Sequence, residues 1–567
     1  MSRSTLARII VGFTILLVAV ACAAPPTPVP PPTAVPPTKA PAATAVPPAA
    51  TSAPAATTAP TAAPTAVPAT KAPEPTKAAA ATNFRIAIGV DMDTLDPAGQ
   101  TTTTVSNVVD YSAETLVTID DKGETQPLLA KSWDVSKDGL TYTFVLQQGV
   151  KFHDGKPFDA TAVKMNVERI LDPDVKVGTR GPFASIGKVE AVDANTVRIT
   201  LKTPFPALLQ AFSMTTSGML SPTLIEKTAA TYKNITQPIG TGPYVFKEHV
   251  KGSQVVFTKN ADYWGKKPFY DTVTIRIVPE AATRESLLLA GQVDAIILPP
   301  ISDVPALERN SAVKVIIAPS NRIIFISINN VWKGLDSAKV RQALNYAVDK
   351  QAILKSVMFG AGYELEAPMA PSLFGYCKVG KYAYDVNKAK ALLKDAGVTT
   401  PLKLAFISPT GRYVQDFQAS QAVAGYLKEV GVETDLKTME WPAYVATITK
   451  PVAENTTNLH FLGWAPGFLD ASQQMTFFSI DQHVPKGLAT HFYTNTEVDK
   501  KIKAADSETD PKKRAEMYCE INKQIWDDAP VIFLWNQAFP IVHSAKVKNV
   551  TYRPNEKFYA IYAEPVQ

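Results

Sequence analysis

The sequence predicts an α/β protein of two or more lobes, preceded by an export signal and a long tether. Three observations support this prediction. A short apolar run ends at Cys22, a tract from 24 to about 81 is built almost wholly from Pro, Ala, Thr and Val, and strand and helix patterns alternate later in the chain. About 485 of the 567 residues follow the tract, which is more than one hydrophobic core usually holds.

The first 21 residues have the pattern of a signal peptide. Arg3 and Arg8 precede an apolar run of about 13 residues, whereas a helix needs about 20 to cross a bilayer. The small residues Ala19–Ala21 suit cleavage, and with Cys22 they resemble a bacterial lipobox, although Ala19 stands where Leu is usual. We therefore expect Cys22 to be the lipid attachment site. Simple secretion and an uncleaved anchor are the alternatives.

Residues 22–82 form the predicted tether. The segment has too few large apolar side chains to bury a core, so we expect it to be disordered or extended. Extended Pro-rich chain rises about 3.1 Å per residue, so the tether could span roughly 150 Å. This reach suits a domain that searches the space above a membrane.

Charge and composition exclude several function classes. The formal net charge is +5, and no run of five or more residues carries one sign, which argues against nucleic acid as a partner. The six His are scattered, so neither a metal site nor another cofactor is expected. Cys377 and Cys519 could pair in an oxidising compartment, but their spacing does not decide it.

The first half of the globular part is rich in strand signals. Residues 141–146 alternate apolar and polar side chains after an Asp138-Gly139 turn, which predicts a half-buried strand. Asp159 is placed to cap a following helix, and residues 195–201 alternate again. A β-rich first half is therefore predicted.

The second half alternates helices with strands. Ser337 and Asp385 each precede a helical apolar pattern. Residues 402–406 read as a strand, a helix ends at Gly431, and 432–436 read as a second strand. A strand, helix and strand of these lengths predict a βαβ unit with parallel strands.

Enzyme signatures are absent from the sequence. It has no G-x-S-x-G, H-E-x-x-H, G-x-x-x-x-G-K-[ST] or C-x-x-C motif, and the neighbours His153 and Asp154 fit a turn better than a catalytic pair. We therefore expect no catalytic residues. A tethered surface hydrolase or transferase and a structural surface protein are the alternatives from other classes.

A series of short motifs follows in order along the globular part. They are Thr94–Pro97, Leu129–Trp133, Asp138–Phe144, Gly149–Phe158, Gly240–Tyr244, Asn260–Trp264, Gly291–Asp294 and Val340–Lys350. From about residue 84 to the C-terminus, these motifs resemble those of the family 5 extracytoplasmic solute-binding proteins, the oligopeptide, dipeptide and nickel-type receptors of ABC importers.

This resemblance implies a two-lobed, hinge-bending fold of the periplasmic-binding-protein type, with an extra subdomain, over residues 83–567. Lobe one would comprise 84–120, 213–325 and 526–567, the subdomain 121–212 and lobe two 326–525. A monomer is expected to capture a small solute between the lobes and deliver it to an ABC permease. Closure requires a ligand that binds the closed state more tightly than the open one.

The resemblance also suggests where the ligand binds. Leu459–Trp464 reads as a strand, and ligands of α/β sheets lie beyond the carboxyl ends of strands. In peptide-binding members, an acidic residue three positions after this Trp pairs with the peptide ammonium group, but here that position is Gly467. We expect Trp464 to stack on the ligand and Asp470 to pair with a cationic or hydroxylated group. The ligand would be a short peptide, or else a sugar or a metal chelate, and Trp464 could instead pack in the lobe core.

Overall fold

The computed structural model describes residues 82–566, apart from 93, 100–102, 176, 178 and 229–234. The predicted signal peptide, the predicted lipid attachment site Cys22 and nearly all of the predicted tether lie outside the described residues. In the part of the chain that the structure describes, no helix has the length and apolar character needed to cross a membrane.

The globular part contains many short strands and two long ones. The strands are β1 (Asn83–Ile88), β2 (Val117–Ile119), β3 (Thr125–Pro127), β4 (Ala130–Val135), β5 (Thr141–Leu146), β6 (Ile186–Asp193), β7 (Thr196–Leu201), β8 (Tyr244–Val250), β9 (Gln254–Lys259), β10 (Thr272–Ile277), β11 (Ala295–Ile297), β12 (Val313–Ile328), β13 (Gly362–Glu364), β14 (Leu402–Pro409), β15 (Val432–Met439), β16 (Leu459–Trp464), β17 (Val531–Ser544), β18 (Val547–Lys548), β19 (Thr551–Arg553), β20 (Lys557–Tyr559) and β21 (Glu564–Pro565).

The helices become longer and more frequent toward the C-terminus. They are α1 (Thr103–Val109), α2 (Ala160–Leu171), α3 (Leu208–Ala211), α4 (Pro222–Thr228), α5 (Ala281–Leu289), α6 (Val304–Arg309), α7 (Ala338–Tyr346), α8 (Lys350–Ser356), α9 (Val386–Asp395), α10 (Asp416–Glu429), α11 (Trp441–Ile448), α12 (Ala471–Thr476), α13 (Thr496–Ser507) and α14 (Pro511–Asp528).

One large mixed sheet organises the described chain, in the order β15-β14-β16-β12-β17-β11-β1-β10-β9-β8, with β13 also paired to β17. The strands β14 and β15 are parallel and are joined by α10, which confirms the predicted βαβ unit. The long strands β12 and β17 pair antiparallel and connect the two halves of the sheet. The mixed α/β class is therefore confirmed.

A separate four-stranded sheet, β4-β5-β7-β6, lies within the predicted extra subdomain. Tyr142, Phe144 and Leu146 are buried on one face of β5, as the alternating pattern predicted. The helix α2 covers this sheet, and the Asp159 side chain accepts a hydrogen bond from the Ala162 amide at the start of the helix. This arrangement encloses a core that is distinct from the cores around the large sheet.

The predicted helix starts in the second half are also confirmed. Ser337 precedes α7, and the Asp385 side chain accepts a hydrogen bond from the Lys388 amide at the start of α9. Cys377 and Cys519 form a disulfide, which settles the alternative that the spacing left open. The exact lobe boundaries stay a prediction.

Candidate ligand-binding site

A cavity of about 840 Å³ lies at the carboxyl end of β16. Its volume falls within the roughly 300–1,000 Å³ of small-molecule sites. Residues from the predicted lobe one, extra subdomain and lobe two all contribute to its wall, as expected for a site between lobes. The wall is formed by Thr103, Ser106, Thr179–Pro182, Phe205, Met214, Thr215, Trp464–Phe468, Ser472, Gln473, Thr476, Phe477, Gln482, Lys486, Leu488, Ala489, Asp506, Asn555 and Lys557.

Trp464 lines this cavity at the end of β16, where it pairs with Ile323 of β12. Its indole stacks on Phe477, with ring centroids 4.8 Å apart and planes inclined by 24°. The Trp464 Nε1 atom is buried and has no hydrogen-bond partner in the part of the chain that the structure describes. Trp464 therefore contributes both to the packing of its lobe and to the cavity wall, and its contact with the ligand stays a prediction.

Asp470 does not line the cavity, contrary to the sequence-based prediction. Both of its carboxylate oxygens accept hydrogen bonds from the Arg514 guanidinium, at 2.7 Å each, and the two side chains are only 4% and 3% exposed. One oxygen also accepts from the Ser472 amide at the start of α12. Arg514 already neutralises the Asp470 carboxylate, so this charge is not available to a ligand.

Gly467 occupies the position at which peptide-binding relatives were expected to carry an acid. Its amide donates to Oε1 of Gln473 at 2.6 Å. A side chain at Gly467 would clash with the terminal methyl of Met214. An acidic side chain there would therefore require Met214 to move, and the cavity obtains no carboxylate from this loop.

Asp506, in the last turn of α13, supplies a carboxylate that the sequence analysis missed. It lines the cavity and accepts a hydrogen bond from the Tyr518 hydroxyl at 2.7 Å. Burial raises the pKa of Asp506 to about 7, opposed by Tyr518 and Arg514 and helped by the nearby charges of Asp470 and Asp481. A strongly shifted acid at a cavity wall is a frequent mark of a functional site.

The cationic side chains of the wall differ in how they are paired. Lys557 Nζ lies 2.5 Å from Asp110 Oδ2 and bonds Thr215, so its charge is balanced, and burial lowers its pKa. Arg180 donates to three backbone carbonyls. Within the described part of the chain, neither Arg180 nor Lys486 forms an ion pair with a carboxylate.

Several polar atoms at the cavity lack partners. Trp464 Nε1, Ser472 Oγ and Asn555 Oδ1 are buried without a hydrogen bond to any described residue. An unsatisfied buried polar group costs about 1–3 kcal/mol, so such groups call for a bound water or ligand. Among the residues that the structure describes, no cluster of three or more His, Cys, Asp or Glu could hold a metal ion.

The comparisons with known proteins give the family. The family described as "Bacterial extracellular solute-binding proteins, family 5 Middle" matches residues 124–485, which is more than half of the chain. The chain belongs to family 5 of the bacterial extracellular solute-binding proteins. The resemblance read from the sequence is confirmed.

Individual relatives agree with this assignment. The glutathione-binding protein GsiB of Pectobacterium atrosepticum is 34% identical over 487 residues, covering 84% of this chain and 93% of its own length. The structure of the periplasmic binding protein DppA of Helicobacter pylori with the peptide STSA has a TM-score of 0.75 at 26% identity, covering 86% of this chain and 99% of its own. The structure of NikZ of Campylobacter jejuni with Ni(L-His) has a TM-score of 0.75 at 25% identity, covering 85% of this chain and 99% of its own.

The two-lobed periplasmic-binding-protein fold is therefore established for this chain. As a family member it captures a small solute outside the cytoplasm and delivers it to an ABC permease in the membrane. The named relatives are binding proteins rather than enzymes.

Proposed function

We propose that the captured solute is a short peptide with one ammonium group and more than one carboxylate, with glutathione as the reference compound. The charge pattern of the cavity carries this proposal. One acid, Asp506, and two cations, Arg180 and Lys486, line it without an ion pair among the described residues. Glutathione at neutral pH has the complementary set of one ammonium group and two carboxylates.

Three further observations support the proposal. The cavity of about 840 Å³ accommodates a small peptide rather than a protein segment. The relative named for glutathione binding is 34% identical over most of both chains. A peptide also offers amide groups that could satisfy Ser472 Oγ and Asn555 Oδ1, and an apolar surface for Trp464.

We further propose that the protein acts as a monomer whose two lobes close around the ligand by bending at β12 and β17. These strands are the connection between the two halves of the large sheet, so a hinge there would leave each half intact. Ligand contacts from both lobes would favour the closed state. No chemical change of the solute is part of this function.

The attachment to a membrane is also a proposal. The basic start, the short apolar run and the small residues before Cys22 support cleavage after residue 21 and lipidation of Cys22. One acyl chain holds a protein only weakly at a membrane, whereas several chains together anchor it stably. The binding domain would then work close to its permease.

Calorimetric titration of the purified protein with glutathione, and with peptides that lack the second carboxylate, tests the proposed ligand. We expect one-to-one binding of glutathione, weaker binding of the other peptides and recovery of unaltered ligand. The melting temperature should rise, because the ligand binds the folded state and adds about 2.7 kcal/mol of stability at one hundred times Kd. A folded protein that binds neither glutathione nor any peptide would contradict the proposal.

A further inference from the structure

The ammonium group of a peptide needs an anionic partner, and two positions near this cavity cannot provide it. Gly467 has no side chain, and the space that a side chain would enter holds the methyl of Met214. Asp470 is buried and bound through both oxygens to Arg514. Neither position can therefore supply a free carboxylate.

We propose that Asp506 binds the ammonium group of the ligand and replaces the acid that is missing at position 467. This inference rests on the proposed function, because it requires a ligand with an amine. Of the described residues that line the cavity, Asp506 alone carries a carboxylate.

The hydrogen bonds of Asp506 leave it available. Its Oδ1 accepts from the Tyr518 hydroxyl at 2.7 Å, which fixes the orientation of the carboxylate, and no described residue donates to Oδ2. A neighbouring cation could have neutralised this acid, but the Arg514 guanidinium is engaged elsewhere. It donates to Asp470, to the Ala505 carbonyl and to Tyr518.

The two acids near Arg514 therefore have different roles. Asp470 pairs with Arg514 and holds the loop after β16 to α14, whereas Asp506 lies at the cavity and forms no ion pair with another described residue. Tyr518 links them, since its hydroxyl accepts from Arg514 and donates to Asp506. An incoming ammonium group would complete this chain of hydrogen bonds and balance the Asp506 charge.

The affinity should then depend on the ionisation of Asp506. The groups that face it are Tyr518 and Arg514 from α14, Asp470 from the loop and Asp481 from the short helix Ile480–Gln482. Its raised pKa of about 7 means that the carboxyl is protonated below that pH. An ammonium ligand binds the ionised form, so its affinity should fall roughly fivefold between pH 7 and about pH 6, where peptide termini keep their charges.

The test compares glutathione with N-acetylglutathione, whose amine is blocked, on the full wild-type protein and on Asp506→Asn. The asparagine can still accept from Tyr518, so the fold should be retained, and an unchanged melting temperature without ligand verifies this. We expect Asp506→Asn to weaken glutathione binding roughly 10- to 100-fold, as for loss of a hydrogen bond to a charged group. Acetylation should weaken binding to wild type similarly and have little further effect on Asp506→Asn.

Glu497→Gln provides the matched control, because Glu497 lies on the same helix, is 72% exposed and pairs only with Lys500 among the described residues. It should bind glutathione as wild type does. If Asp506→Asn binds like this control and suffers the same acetylation penalty as wild type, or if affinity does not change between pH 7 and pH 6, the assignment to Asp506 is overturned. If folded wild type binds neither glutathione nor any other short peptide, the proposed ligand class fails, and this inference fails with it.

Discussion

Replacing Asp470 by Asn should lower the stability of the protein, because Asp470 is one partner of a buried ion pair. The sequence alone instead predicted a loss of ligand affinity, because it placed Asp470 at the ligand. In the structure, Asp470 accepts two hydrogen bonds of 2.7 Å from Arg514, in a setting where solvent cannot screen the charges. An asparagine side chain can keep the bond to the Ser472 amide but cannot neutralise the guanidinium.

The size of the expected stability loss follows from the burial of the Asp470–Arg514 ion pair. Removing one partner of a buried ion pair costs about 3–5 kcal/mol, since the other charge is left uncompensated. The asparagine keeps one oxygen that can accept from Arg514, so we expect a loss near the lower figure, about 3 kcal/mol. The exposed pair of Glu497 and Lys500, with side chains 72% exposed, should show no measurable loss when Glu497→Gln removes it.

Urea unfolding of Asp470→Asn, Glu497→Gln and wild type measures their stability. Glutathione titration of the same three proteins measures their ligand affinity. The unfolding midpoint of Asp470→Asn should fall, whereas that of Glu497→Gln should match wild type. An unchanged midpoint together with a large loss of affinity would refute the reasoning and return Asp470 to the ligand site.

Three further predictions address other parts of the chain. Replacing Cys377 and Cys519 by Ala removes a disulfide across a separation of 142 residues and should lower the unfolding free energy by about 2–5 kcal/mol, measured by urea unfolding; an unchanged midpoint would contradict this. Cys22→Ser should move the protein from the membrane to the soluble extracellular fraction, as seen by fractionation and immunoblotting, and unchanged membrane association would refute lipidation. Trp464→Phe should keep the stacking on Phe477 and the melting temperature but lose the indole N–H, which would weaken glutathione binding roughly three- to tenfold, whereas unchanged affinity would make Trp464 a packing residue.

The elements that the sequence predicted well depend on local patterns. Alternation indicated β5, and the capping residues Asp159 and Asp385 marked the starts of α2 and α9, because both signals arise within a few neighbouring residues. The βαβ unit of β14, α10 and β15 was predictable for the same reason. The position of Trp464 at a cavity followed from the rule that ligands lie beyond strand ends.

The site residues that were missed depend on contacts distant in sequence. Arg514 lies 44 positions after Asp470, and no local pattern announces that it will neutralise that charge. Asp506 lies in the last turn of an ordinary amphipathic helix, and only the packing of α13 against α14 brings it to the cavity. The Cys377–Cys519 pair was likewise undecided, since spacing alone does not determine a disulfide.

Native mass spectrometry of the purified protein after incubation with a mixture of peptides and glutathione tests the central claim most directly. One spectrum reports which solute is retained, how many copies bind and whether the solute has changed. We predict one unaltered molecule of glutathione, or of a similarly charged short peptide, for each protein chain. Cleaved or transferred products formed over many turnovers, or a folded protein that retains no solute, would contradict the account.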